Sequence, residues 1–246
     1  MAKAPPNELV SVIIPVYNGE RFMPDAVANV HEQAYQPLEI IIVDDASTDS
    51  TPQLLAALAD QVTIVRLGSN QGPAAARNAG LARARGSIVA FLDVDDLWPP
   101  DRLGAMVACF RQHPACGVVR GYVRISQPQD RANAALRYSS AILGPWIGSA
   151  IYRKEIFDLI GAFDPGLRYG EDLDWFFRAR EQGVGVHLLN RTTLYVRRHD
   201  QNMTRGLNCH ELNVLRVLRR SLDRRRHQET GVAGASAQRP IHPEGI

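Results

Sequence analysis

Four short β-branched runs, each separated from the next by a single helical stretch, constrain this chain more than any other feature. Leu9 to Ile14 and Leu38 to Val43 are apolar on nearly every successive residue, and Val62 to Leu67 and Ile88 to Leu92 read as the third and fourth strands. A strand without a wet face is buried on both sides, which is the pattern of a parallel sheet. The intervening stretches have helical spacing. Phe22, Ala26, Val30 and Ala34 recur every four residues across Arg21 to Gln33, and Asp49 and Ser50 can cap a helix over Thr51 to Ala59. Gly72 and Pro73 open an alanine-rich third helix that Gly86 stops. Strands joined by single helices imply right-handed βαβ units. The predicted fold class is therefore α/β, with a mostly parallel central sheet, and ligands are expected beyond the carboxyl ends of its strands.

The second half is less regular. Helices are expected at Asp101 to His113, Lys154 to Ile160 and Asp172 to Gln182. Strands are expected at Gly117 to Ile125, Gly148 to Tyr152, Val184 to Leu189 and Thr193 to Val196, with a polar loop at Gln127 to Arg137. Leu212 to Arg226 reads as a basic amphipathic helix, and 228–246 reads as a disordered tail. The 246 residues carry a net charge of only +2, which gives no reason to expect nucleic acid as a partner. Three cysteines without a C-x-x-C pair argue against a disulfide framework and a zinc site. Met1 to Glu8 is polar, without the apolar stretch of a signal peptide, and no run is long and apolar enough to span a bilayer. The expected location is cytoplasmic.

Acidic residues follow two of the buried strands directly: Asp44-Asp45 after the second, and Asp93-Val94-Asp95-Asp96 after the fourth. Carboxylates gathered at one sheet edge repel one another unless a cation or donor compensates. Mg²⁺ and Mn²⁺ take oxygen ligands and commonly bridge carboxylates to a diphosphate. Helix capping is the alternative for Asp44 and Asp45, and is less suited to the denser second cluster.

These strings carry a resemblance. Val10 to Gly19 (Val-Ser-Val-Ile-Ile-Pro-Val-Tyr-Asn-Gly) resembles the opening of family 2 glycosyltransferases, as does Val43 to Thr51. Asn70 to Pro73 with Ala76-Arg77-Asn78-Ala79-Gly80 resembles the third block, and Phe91 to Trp98 the metal-binding motif. Gly161 to Asp164 and Gly170 to Asp174 resemble the acceptor-side blocks, all in sequence order.

The resemblance implies a GT-A type αβα sandwich, a nucleotide-sugar donor (commonly a UDP-sugar) and transfer with inversion to a hydroxyl of a glycan, lipid-linked or small-molecule acceptor. One domain over 1–227 is implied, with a nucleotide-binding half at 9–125, an acceptor half at 126–206 and the basic helix at 207–227. Carried onto matching positions, Pro15, Tyr17 and Asp44 line the nucleoside pocket. Arg77 reaches the base or diphosphate, and Asp93 lies near ribose and metal. Asp95 is the main ligand of a divalent metal, Mn²⁺ or Mg²⁺, and Asp172 is the catalytic base. The family often carries His-x-x-Asn-x-Thr where this chain has His199 to Thr204, which makes His199 a further metal ligand or a diphosphate contact.

Trp146, Gly148, Ser149 and Glu171 are expected at the acceptor pocket, although a buried Trp146 fits the sequence equally well. Asp172 at a helix N-terminus is expected to be ionised at neutral pH.

The leucines of the basic helix, Leu212, Leu215, Leu218 and Leu222, are expected to dock on the domain. Peripheral contact with the inner face of a membrane is the alternative. The chain lacks the Gln-x-x-Arg-Trp string of processive synthases, which favours a single-transfer enzyme. A non-catalytic nucleotide-sugar-binding protein of the same fold and a sugar nucleotidyltransferase are the competing readings. The loop Pro15 to Arg21 is poor in the glycine that the nucleotidyltransferase would need.

Overall fold

The structure, a computed structural model, describes residues 8–126, 138–200, 202–203, 208 and 211–236. Strands β1 (Val10–Val16), β2 (Leu38–Asp44), β3 (Thr63–Arg66) and β4 (Ile88–Phe91) pair in parallel, with β1 between β2 and β4. Helices α1 (Met23–His31), α2 (Thr51–Ala57) and α3 (Pro73–Leu81) make the crossovers. Side chains alternate along β1 and β2. Val10, Val12, Ile14, Ile40 and Ile42 pack in one core with α1 and α2, while Ile13, Ile41 and Val43 pack in another with α3. Every residue of β1 is buried. The close seat of α3 on the sheet depends on Gly80, where a Cβ would meet Ile13 Cγ2 at 2.4 Å.

The chain then continues through α4 (Arg102–Gln112), β5 (Val118–Ile125), a 3₁₀ turn at Ile147–Ser149, β6 (Ala150–Arg153), α5 (Ile156–Ile160), α6 (Glu171–Glu181), β7 (Val186–Val196) and α7 (Val214–Ser236). The seven strands form one sheet in the order β3-β2-β1-β4-β6-β5-β7, with β6 antiparallel to both neighbours. Helix α4 joins the core beneath α1, and α5 and α6 join the α3 side, giving three layers.

Three expectations are corrected here. The last strand is one strand rather than two, because irregularities in its pairing with β5 near Tyr122 carry it past Asn190 to Thr192. The stretch from Gly148 begins as a 3₁₀ turn. Helix α7 runs to Ser236, into the stretch expected to be disordered. Helical hydrogen bonds close along the chain itself and do not need a packed partner at every turn. Residues 127–137, expected to be a loop, and 237–246 lie outside the described residues.

Candidate functional site

Chain order reverses at β1: the crossovers run outward through β2 to β3, and then α3 returns to β4 on the other side. A crevice opens at the carboxyl ends where the order switches. The register sets Val16 beside Asp44 and Asp44 beside Arg66, and Ile13 beside Phe91 at the end of β4. Asp44 and the Asp93–Asp96 turn therefore flank the end of β1. Beyond that end Tyr17 is exposed, while Pro15 is a buried strand residue.

The Asp44 carboxyl is buried. Its Oδ1 accepts the Ser47 N–H at 2.8 Å, whereas Oδ2 has no hydrogen-bond partner and lies 3.4 Å from Arg66 Nε. A buried carboxylate oxygen left in this state is an acceptor waiting for a donor. Asp45 is used structurally, taking the Gln71 and Gly72 N–H groups at 2.7 and 2.8 Å and so fixing the entry to α3. Asp49 accepts the Thr51 N–H at 2.9 Å, in keeping with a role at the start of α2.

In the second cluster the carboxylates separate by partner. Asp93 Oδ1 meets Arg77 Nη2 at 2.6 Å. Asp95 Oδ2 meets His199 Nε2 at 2.9 Å and Asn202 Nδ2 at 3.0 Å. Asp96 is buried and accepts the Arg197 N–H at 3.1 Å. Burial and the nearby Asp93 charge hold Asp95 above the usual carboxylate range, with His199 partly offsetting them. Asp96 is pushed well above it by burial and by Asp95 and Asp93. Three neighbouring carboxyls, two of them raised by burial and by their neighbours' charge, with an imidazole on one member, are a donor set suited to a divalent cation.

The strand β7 delivers that imidazole. Tyr195 and Leu97 exchange backbone hydrogen bonds at 2.8 and 3.0 Å, which ties the turn after β4 to the end of β7. His199 then rests against the Phe22 ring at 4.5 Å, and its N–H donates to Asn202 Oδ1 at 2.6 Å. Arg197, whose Nε donates to the Asp95 carbonyl, also pairs with Asp25 at 3.0 Å. Asn202, Arg197 and Phe22 were not singled out from sequence. The His-x-x-Asn spacing was the only signal available for Asn202, and Thr204 lies outside the described residues.

Arg77 joins this cluster to α6. Its Nη1 meets Glu171 Oε1 at 2.6 Å while Nη2 holds Asp93. Burial opposes the guanidinium charge, but the two carboxylates outweigh it and hold Arg77 above its ordinary value. Arg77 is thus a buried link between two carboxylates, and Glu171 is its partner instead of an open acceptor contact.

Asp172 follows in the first turn of α6, partly buried, with Oδ1 accepting the Leu173 N–H at 2.7 Å. Burial and the Glu171 charge push its carboxyl up to about 7, against the lowering influence of Arg77. The expectation of a fully ionised base at neutral pH is corrected accordingly.

Gly148 and Ser149 are corrected too. Both are buried. The Gly148 carbonyl accepts from Trp98 Nε1 (3.2 Å) and Arg102 Nη2 (2.8 Å), and the Ser149 hydroxyl donates to the Trp146 carbonyl at 2.7 Å. They brace the floor behind the crevice, and Trp146 is partly buried above them.

A further trio, Cys109, His113 and His187, brings its ligand atoms within 4.8 Å of one another. This contact between α4 and β7 is invisible to cysteine spacing. The buried Cys109 thiol lies 3.7 Å from His113 Nδ1, and burial raises it.

With this geometry in place, comparison with known proteins is decisive. Residues 11–170 match the family described as glycosyl transferase family 2. The chain belongs to this family. It is 38% identical over 191 residues to a Bacillus subtilis protein named as a teichuronic acid biosynthesis glycosyltransferase, TuaG, covering 74% of this chain and 76% of that one. Against S. aureus TarS 1-349 in complex with UDP the fold superposes with a TM-score of 0.69 at 21% identity, covering 86% of this chain and 64% of that one. Against the mannosyltransferase PcManGT of Pyrobaculum calidifontis, in complex with GDP-Man and Mn²⁺, the TM-score is 0.63 at 23% identity, covering 78% and 58%.

The family 2 glycosyltransferase fold here is thus GT-A. The chain spans about half or less of several other curated relatives.

Proposed function

We propose that this glycosyltransferase is an inverting, divalent-metal-dependent enzyme that transfers one sugar at a time from a nucleotide-sugar donor, a UDP-sugar, to an acceptor hydroxyl. The observation that carries the reading is the Asp93–Arg77–Glu171 chain of ion pairs. It ties the carboxylate cluster after β4 to the turn holding Asp172, so donor and base sides belong to one assembly. The UDP complex of TarS 1-349 and the GDP-Man and Mn²⁺ complex of PcManGT support the donor class and the metal.

Asp44, whose Oδ2 accepts no hydrogen bond, accepts an N–H from the base, and the exposed Tyr17 ring borders the same pocket. Asp95, Asp93 and His199 would hold Mn²⁺ or Mg²⁺, which when bound supplies positive charge opposite the departing diphosphate. Asp172 takes the acceptor hydroxyl proton as the oxygen displaces the nucleoside diphosphate at the anomeric carbon. The acceptor is a glycan, lipid-linked or small-molecule hydroxyl.

The test is a thermal-shift series with nucleoside diphosphates and metals, since a ligand of the native state raises Tm by mass action. UDP with Mn²⁺ is expected to shift Tm most, and Asp95→Ala to remove the metal-dependent part. A protein that no nucleoside diphosphate stabilises with either metal would overturn the reading. Stabilisation without metal-dependent hydrolysis of a nucleotide sugar would favour a non-catalytic binding protein.

A further inference from the structure

Helix α7 docks by the face opposite to the one its leucines suggest. Val217 and Ser221 are its buried residues. Ser221 donates to Glu181 at 2.5 Å, Arg224 pairs with Glu181 (2.5 Å) and Asp174 (3.2 Å), and Arg220 pairs with Asp164 at 2.6 Å. The inward face is thus held by ion pairs to α6 and to the turn before it. The leucines are left outside: Leu215 is 62% exposed, Leu218 40% and Leu222 47%.

At about 100° per residue these three leucines fall within a sector of roughly 60°. Arg225 lies along one border of that stripe, and Arg219, Arg226 and Arg216 lie along the other; all four are exposed. Within 214–227 Asp223 is the one acid on this face, and it lies 4.0 Å from Arg226. The whole chain carries a net charge of only +2, so the cation density here is local. An apolar stripe between two rows of arginines matches the boundary of an anionic bilayer. Leucines enter the acyl edge while guanidinium groups stay level with phosphates. A purely protein-facing stripe has no need of cations on both borders.

We propose that the outward face of α7, the Leu215, Leu218 and Leu222 stripe bordered by Arg216, Arg219, Arg225 and Arg226, docks on an anionic lipid surface. Among the described residues no helix is long and apolar enough to cross a membrane, so the contact is peripheral. The helix start is seated against the turn that opens α6. Asn213 Nδ2 donates to the Tyr169 carbonyl at 3.2 Å, and a Cβ at Gly170 would meet the Leu212 carbonyl at 2.9 Å.

The experiment is sedimentation of the full chain with vesicles of phosphatidylcholine alone and of phosphatidylcholine with phosphatidylglycerol, at low and high salt. Binding is expected only with phosphatidylglycerol and is expected to weaken as salt screens the arginines. Each arginine near the surface contributes about fivefold, so Arg219→Gln with Arg225→Gln is expected to lower partitioning about thirtyfold. Leu215→Ser with Leu222→Ser is expected to lower it at least tenfold. These side chains are exposed, so Tm is expected to stay within about 2 °C of the parent. Failure to bind phosphatidylglycerol vesicles, or binding by both variants equal to the parent's, would overturn the proposal. So would a fall in solution mass in the leucine variant without vesicle binding by the parent, which would assign the stripe to a second copy of the chain. Vesicle binding needs neither donor nor acceptor, so its outcome is separate from that of the nucleotide test.

Discussion

Replacing Arg77 with methionine keeps most of the side-chain volume and removes the cation that two carboxylates share. The Arg77 side chain is 5% exposed and that of Glu171 9%, so this arm is a buried pair. Asp93 is 39% exposed, so water screens the other arm. Breaking a buried pair from one side costs about 3–5 kcal/mol, because the remaining charge stays desolvated. The screened arm adds about 0–1 kcal/mol. For a domain of this size, each kcal/mol moves Tm by about 2–4 °C, so Arg77→Met is expected to lower Tm by roughly 6–24 °C. Removing the partner as well, in Arg77→Met with Glu171→Leu, leaves no buried charge in that arm and is expected to recover about 2–3 kcal/mol. The assay is a double-mutant cycle by urea unfolding, with calorimetry as the check. A single-mutant cost below about 1 kcal/mol, or two strictly additive substitutions, would refute the buried-link account of Arg77.

Three further outcomes are expected. With its carboxyl pushed up to about 7, Asp172 is half ionised at that pH and mostly ionised, able to accept a proton, above it. Transfer rate should therefore fall about tenfold per pH unit below it, and Asp172→Asn should cost about 10²–10⁴ in rate without weakening UDP binding. The same raised value means that folding favours the protonated acid. Its stabilising contribution is present below the unfolded carboxylate range, near 4, and is lost as pH rises through about 7. Asp172→Asn should consequently gain about 1–2 kcal/mol over the parent at pH 8, visible as a pH-dependent Tm difference that a flat comparison would contradict. Asp44→Ala removes the buried oxygen that accepts no hydrogen bond, and should weaken UDP about 5- to 30-fold by calorimetric titration while leaving the metal titration unchanged.

The first half of the molecule is readable because its signals are local. A strand apolar on both faces, followed at once by carboxylates, states in ten residues both a buried parallel strand and an acidic crevice edge. The run from Ile88 to Asp96 is such a segment. What could not be read was pairing across the chain. Arg77 and Glu171 are 94 residues apart, and His199 and Asp95 104 apart. Nothing in the periodicity of α3 tells which way its arginine turns. Helix α7 shows the same limit from the other side. A helical stripe of leucines identifies an amphipathic helix, but periodicity does not say which face is inward. Glu181 and Asp174 on α6, with Asp164 in the turn before it, decide that, by offering Arg220 and Arg224 partners.

Asp172 shows how magnitudes decide between two correct principles. A carboxylate in the first turn of a helix gains about 0.3–1 kcal/mol from the backbone dipoles, which lowers its proton affinity by less than about one pH unit. Withdrawal from water beside a second carboxylate works in the opposite direction and can reach several times that size. The helix terminus therefore loses to burial and Glu171, even with Arg77 nearby to moderate them. The loss has a chemical use. A carboxylate near 4 is a weak proton acceptor, whereas one near 7 is both partly ionised at working pH and basic enough to draw a hydroxyl proton in the transition state. Glu171 thereby serves the site without touching an acceptor. Its charge raises Asp172 and anchors Arg77, which in turn holds Asp93 beside Asp95.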